Sequence, residues 1–208
     1  MNVLLIQPGY PNEVPFFTRG LANVGAKVFG VGDQPEHALP PMARENLHAY
    51  LHVDSIANED GVITSVANWL NGTRMERVEG LWEQTVLLAA RLRERLGVGG
   101  MRESEVIPFR DKDSMKNVVS AAGLRTPRHH RARGETECRE AADAIGYPVI
   151  LKPIAGAGSM DTYRVNTSAE LEARLARMGH ISEMNVEEFI DGEEFTFDTV
   201  SIDGEIAF

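Results

Sequence analysis

The chain has 208 residues, 43% of them hydrophobic and 25% charged, a balance that excludes a disordered polar chain and suffices for one domain or two small ones. A formal net charge of −10, from 31 acidic and 21 basic residues, excludes a broad basic footprint for nucleic acid while leaving room for a local anion pocket. The lone Cys138 excludes an internal disulfide framework and fits a reducing cytosol; within "ETECREAADAIG" it reads as a structural thiol.

The amino terminus, "MNVLLIQPGY", carries only the short apolar run "VLLI" and no preceding basic stretch, so neither a signal peptide nor a membrane anchor is expected there. No other segment approaches the roughly 18 apolar residues of a membrane span, and a soluble, cytoplasmic protein without a membrane partner is the expectation.

In chain order, "NVLLI" has the pattern of a short buried strand closed by "QPG", "FFTRGLANVGA" has helical spacing, and "KVFGVG" returns to strand. This strand, helix, strand unit predicts a parallel pair at the start of a doubly wound α/β sheet. Such sheets take ligands beyond the carboxyl ends of their strands, here near "QPGYP" and "GDQPEH". "HAYLHVDS" and "RVEGLW" read as further strands and "EDGVITSVANWLNG" as a helix. "EQTVLLAARLRERLGVGG" is the clearest helix, with a Leu/Ala stripe, basic last turns and a terminating glycine. Trp82 is expected in the core and Glu83 in the first turn of that helix. No G-x-G-x-x-G follows the first strand, which disfavours an NAD-dependent oxidoreductase.

Beyond residue 110, "RDKDSMKNVVSAAGLRTP" predicts a helix capped by Asp113 or Ser114, ended by Gly123, with Met115, Val118, Val119 and Ala122 on one face. "ECREAADAIG" is a second helix, "YPVILKPI" and "DTYRVN" are strands, and "SAELEARLARMG" is a helix opened by Ser168. "MNVEEFID" and "EEFTFDTVSIDGEIAF" are read as strands, the latter with Asp203-Gly204 as a type I′ hairpin turn. The second half is thus a small α+β unit with antiparallel pairing.

Lys152 ends a strand just before Gly156-Ala157-Gly158-Ser159. Small residues let backbone N–H groups approach phosphate oxygens, and the lysine adds a compact charge; a hairpin turn with an exposed lysine stands level with that reading. Lys116 taken singly reads as part of a solvated helix face, and Glu187, Glu188 and Glu194 as the polar side of an edge strand and its turn. As metal ligands the acids are weak, because adjacent strand residues point to opposite faces, and the same argument turns His129-His130 into a basic surface patch with Arg128 and Arg131. No metal-binding residue is assigned.

The order "DKDSMKNVVSAAGLRTP", "GYPVILKPIAGAGSMDTYRV", "VEEFIDGEEFTFDTV" resembles the first half of the ATP-grasp superfamily of ligases, and the preceding α/β unit is similar to the domain that usually precedes the grasp module. The resemblance implies a pre-ATP-grasp domain over residues 1–108, a first ATP-grasp lobe over 109–184, and a hinge with the start of a second, incomplete lobe over 185–208. It implies that Lys116 and Lys152 contact ATP phosphates, Lys152 at the α and β positions. Gly156, Ala157, Gly158, Ser159 and Met160 then form a glycine-rich lid, Glu187, Glu188, Phe189 and Ile190 the adenine-reading hinge, and Glu194 a ribose contact. Ile150 with Phe189 or Ile190 would flank the base.

The resemblance further implies ATP and Mg²⁺ as cofactors, with the magnesium ligands on late strands beyond "EIAF". A fragment of a longer ligase, inactive alone, is expected ahead of a naturally shortened paralogue or a chain that pairs with a separate second lobe. The parent's partners would be ATP and a small carboxylate, with a homodimer allowed. The activity implied is carboxylate-amine ligation through an acyl phosphate, on the plan shared by biotin carboxylase, carbamoyl phosphate synthase and dipeptide-forming ligases. The alternative is a nucleotide-binding or assembly module without catalysis.

Overall fold

A computed structural model describes residues 1–154, 161–179, 182–202 and 205–207. The chain divides into two compact units, one built on Met1–Thr126 and the other on Pro127–Pro153 with the chain from Asp161 onward.

The amino-terminal unit holds a four-stranded parallel sheet of β1 (Asn2–Ile6), β2 (Lys27–Gly32), β3 (Ala49–His52) and β4 (Arg77–Gly80), in the order β3-β2-β1-β4. Its strands are short apolar runs because both faces are covered. Leu4, Ile6, Phe29 and Val31 pack with Val62, Val66 and Leu70 of helix α3 (Glu59–Leu70) and with Leu88 and Leu92 of α4 (Val86–Leu96). The alternate residues Leu5 and Val28 pack on the other face with Val14 of α1 (Val14–Asn23). Helices on both faces make this the expected doubly wound arrangement.

Helix α4 ends as its sequence dictates, with Gly97 in the left-handed region at φ 65°. The unit also contains a short helix α2 (Pro41–Arg44) and helix α5 (Glu103–Arg110), neither marked by apolar periodicity. Helix α6 (Lys112–Ala121) packs against α5 within the same compact unit.

Helix α6 corrects two expectations. Its amino-terminal cap is Asp111, whose carboxylate accepts from the Ser114 N–H at 2.8 Å, rather than Asp113 or Ser114. Its expected apolar face is open: Met115, Val118 and Ala122 are exposed, and the residue it buries is Lys116, 3% exposed. Trp82 is half-buried rather than in the core.

The carboxy-terminal unit holds a second four-stranded sheet, entirely antiparallel, of β5 (His129–Arg133), β6 (Val149–Pro153), β7 (Tyr163–Val165) and β8 (Glu183–Glu188), in the order β5-β8-β6-β7. Helices α7 (Gly134–Ile145) and α8 (Ser168–Leu175) cover one face. There Ala132, Val149, Leu151, Val165, Met184 and Val186 form a core with Cys138, Ala142, Ile145, Leu171 and Leu175. Cys138 is fully buried, and burial pushes its thiol up to about 11, in keeping with a structural role. The cap of α8 is Thr167, whose hydroxyl accepts from the Glu170 N–H at 3.2 Å, so Ser168 is the first helical residue rather than the cap.

Residues 191–200 form no strand, contrary to the pattern of "EEFTFDTV"; Phe195 and Phe197 are exposed, so the alternating apolar residues have no sheet to pack on here. Strands β9 (Ser201–Ile202) and β10 (Glu205–Ile206) pair antiparallel as a hairpin requires. The turn residues Asp203 and Gly204 lie outside the described residues.

Candidate nucleotide site

The period-two alternation that buries Val149 and Leu151 under the helices sends Ile150 and Lys152 to the opposite face of the antiparallel sheet. On β8 the same alternation sends Met184 and Val186 inward and Glu183, Asn185 and Glu187 to the face shared with Lys152. In β5, "HHRAR" buries Ala132 and places His129, Arg131 and Arg133 opposite Glu187, Asn185 and Glu183. Arg164 on β7, opposite Ile150, completes the row. One sheet face is thus apolar and helix-covered, and the other is a polar array.

At the centre of that array Lys152 forms an ion pair with Glu187, and Asn185 Nδ2 donates to Glu187 Oε2 at 2.7 Å. Lys152 and Asn185 are direct cross-strand partners and Glu187 stands two residues along, so the three side chains meet by register. Asn185 is 0% and Glu187 6% exposed, while Asn185 Oδ1 accepts no hydrogen bond among the described residues. A buried carboxylate is tolerable only when paired and hydrogen-bonded, which Lys152 and Asn185 accomplish. An ammonium and an amide oxygen with open capacity are therefore held on rigid strands, chemistry suited to an anion or a polar ring.

Away from the centre, Glu183 accepts from Arg133 Nε at 2.8 Å and from Arg131 at 2.9 Å. The Arg133 hydrogen bond is the main cause holding its carboxyl below the ordinary range. Glu188 points to the other face and lies 3.6 Å from Arg128 Nε, so Glu187 and Glu188 are separated as the strand period demands. The Glu188 N–H is engaged by the Arg128 carbonyl at 2.8 Å and the Phe189 N–H by that of Pro148 at 3.3 Å. The Arg164 guanidinium lies 3.9 Å from the centroid of the Phe189 ring.

Among the sequence-derived candidates, the structure brings Lys152 and Glu187 together. Lys116 sits buried on α6 of the amino-terminal unit, not on a solvated face. Phe189 is half-buried, and Ile190 and Glu194 are exposed, Glu194 in the segment without regular structure. The loop residues Gly156, Ala157, Gly158, Ser159 and Met160 lie outside the described residues. Asn185 was missed, although its place two residues before Glu187 in a strand pattern signals a shared face. Among the described residues no group of three His, Cys, Asp or Glu side chains is placed to hold a metal ion, and no helix is long and apolar enough to cross a membrane.

Residues 109–208 match the family model of the ATP-grasp domain. A D-alanine–D-alanine ligase of Pseudomonas fluorescens is 37% identical over 91 residues, covering 43% of this chain and 28% of that protein. An L-arginine-specific L-amino acid ligase of Bacillus subtilis is 22% identical over 215 residues, covering 100% of this chain and 52% of that protein. The chain thus spans about half, or less, of the length of these relatives. Among solved structures, an L-amino acid ligase from Bacillus licheniformis superposes with a TM-score of 0.79 at 22% identity, covering 99% of this chain and 48% of that one. An N5-carboxyaminoimidazole synthetase from Staphylococcus aureus complexed with ADP gives 0.71 at 16% identity, covering 91% and 48%. These likenesses share the fold, a parallel sheet followed by an antiparallel one.

Proposed function

We propose, from the match of residues 109–208 to the family model of the ATP-grasp domain, that the chain is the ATP-binding part of a ligase that joins a carboxylate to an amine through an acyl phosphate. The observation that carries the reading is Lys152 on the polar sheet face, paired with Glu187 and flanked by Asn185, within the segment that matches the family.

In this reading Lys152 keeps its ion pair with Glu187 and turns its remaining N–H donors to the α and β phosphates of ATP, so the buried carboxylate stays paired while the nucleotide is held. The Glu188 and Phe189 N–H groups are already engaged, which leaves backbone groups beyond them, through Ile190, to read the adenine edge. Glu194 contacts the ribose, Lys116 supplies the second phosphate contact, and Gly156 to Met160 close over the phosphates; these roles rest on the family resemblance. In the reaction a carboxylate oxygen attacks the γ-phosphorus and ADP departs. The amine nitrogen then attacks the acyl carbon, releasing inorganic phosphate. Magnesium, when bound, neutralises the phosphate charge. Among the described residues no group of three His, Cys, Asp or Glu side chains is placed to hold it.

Isothermal titration of the chain with ATP tests the reading. Lys152→Ala should weaken affinity about tenfold or more, the scale of one charge-assisted contact. Unchanged affinity in a folded Lys152→Ala variant would overturn the assignment. ATP binding without phosphate release in the presence of carboxylates and amines would favour the binding-module alternative for the chain alone.

A further inference from the structure

In the parallel sheet, β1 has β2 on one side and β4 on the other, so the chain's winding reverses there. Open α/β sheets present a crevice at such a switch point, beyond the carboxyl ends of the strands. A cleft of about 670 Å³ occupies that place. Gln7 and Tyr10 reach it from the end of β1, Asp33 and Gln34 from the end of β2, and Trp82 from the end of β4. Every one of its lining residues belongs to the amino-terminal unit.

The polar groups of the cleft are built in, at a cost to the backbone. Gln7 is 5% exposed and sits at φ 52°, a left-handed conformation unfavourable for a side-chain-bearing residue. This conformation directs its Nε2 to donate to Asp33 Oδ1 at 2.6 Å. A Cβ at Gly32 would stand 2.6 Å from Gln7 Oε1 and 2.8 Å from the Tyr50 hydroxyl, so glycine there is what admits the arrangement. The Ile56 N–H donates to Asp33 Oδ2 at 3.3 Å, and the Tyr50 hydroxyl donates to the Gln34 carbonyl at 2.7 Å.

The charges do not cancel. Glu59 is paired with Arg91 at 2.6 Å and Arg110 with Glu83 at 2.6 Å. Asp33 receives hydrogen bonds from neutral donors and forms no ion pair among the described residues. Gln34 Oε1 is buried and accepts no hydrogen bond among the described residues. Burial first, and then the charges of Asp33 and Glu36, push the Tyr50 hydroxyl upward. The wall beside these acceptors is aromatic: the Tyr10 and Trp82 rings meet edge to face with centroids 4.9 Å apart.

An uncompensated carboxylate, an unfilled amide acceptor and an aromatic wall call for a ligand that donates N–H bonds and carries positive charge. We propose that this cleft is a binding site for a small molecule with a cationic amine on an apolar or aromatic body. The ammonium is held by Asp33 and Gln34 Oε1, and the body lies against Tyr10 and Trp82. The site goes beyond the nucleotide reading and stands independently of it.

Benzylammonium, benzyl alcohol and benzoate share a ring and differ in charge, and their binding to the full chain by saturation-transfer NMR tests the proposal. Benzylammonium should bind about tenfold more tightly than benzyl alcohol, and benzoate should not bind. Asp33→Asn should abolish that preference, and Trp82→Leu should weaken all ring binding. Equal affinity for the three probes, no binding of benzylammonium, or a preference that survives Asp33→Asn overturns the proposal. Should Asp33→Asn fail to fold, Gln34→Leu replaces it: a loss of about threefold or more for benzylammonium supports the site, and no loss overturns it. ATP titration of the same variants keeps the readings apart, since these substitutions should leave nucleotide affinity unchanged and Lys152→Ala should leave benzylammonium affinity unchanged.

Discussion

In the amino-terminal unit Leu4 and Ile6 pack toward α3 and α4 while Leu5 packs toward α1, so neither sheet face is left for polar side chains. Its polar groups of interest, Gln7, Asp33 and Gln34, therefore stand at strand ends. In the carboxy-terminal unit α7 and α8 cover one face, and Lys152, Asn185 and Glu187 stand on the other, in mid-strand. The difference follows from connectivity. Parallel strands need helical crossovers that bury both faces, whereas antiparallel strands leave one face for chemistry. A site at strand ends is set by loop conformation, and Gln7 shows the strain that this requires. A site on a sheet face is set by register, and needs no strained residue.

The largest effects should come from the two cores. Leu4→Ala and Leu151→Ala each remove a fully buried side chain and should cost about 2–5 kcal/mol in denaturant unfolding. Hydrogen exchange sharpens the comparison: Leu4→Ala should speed exchange in β1 to β4 and Leu151→Ala in β5 to β8. Equal acceleration throughout by either variant would break the division into two cores.

A smaller effect separates the residue that caps α8 from its neighbour. Thr167→Ala should cost about 1 kcal/mol of stability and Ser168→Ala about half of that or less, because only Thr167 satisfies an otherwise orphaned N–H. The reverse order in thermal unfolding would restore Ser168 as the cap.

The smallest effect concerns the exposed end of the polar face. Glu183 is held below the ordinary carboxylate range by Arg133 and Arg131, so its contribution is present above that range and lost as pH falls through the folded-state value. Arg133→Gln should raise the carbon-13 titration midpoint of the Glu183 carboxyl, and the paired arginines should release it in acid. A midpoint that does not move would show that the Arg133 hydrogen bond is absent in solution.

Strands β1, β2, β6 and β8 were legible because their apolar patterns reflect burial directly, and α4 because its stripe, basic end and glycine agree. Helix α5 was not, since Pro108 and a mixed surface hide its period. "EEFTFDTV" was misleading because alternation describes a surface that packs only where a partner sheet exists. Of the nucleotide candidates, the order of segments marked Lys152 and Glu187, but nothing local announced that they pair.

The sequence by itself determined the types of β1, β2, β6, β8 and α4, the two kinds of sheet and the segment order by which residues 109–208 match the ATP-grasp family model, because propensity, periodicity and motif order are properties of neighbouring residues. Only the tertiary structure decided that Lys116 is buried, that Asn185 and Lys152 share Glu187, and that Asp33 is fastened to Gln7 and forms no ion pair among the described residues. Those facts depend on strand register and on loops meeting across a sheet; the Gln7–Asp33 hydrogen bond, for one, joins residues 26 positions apart in the chain.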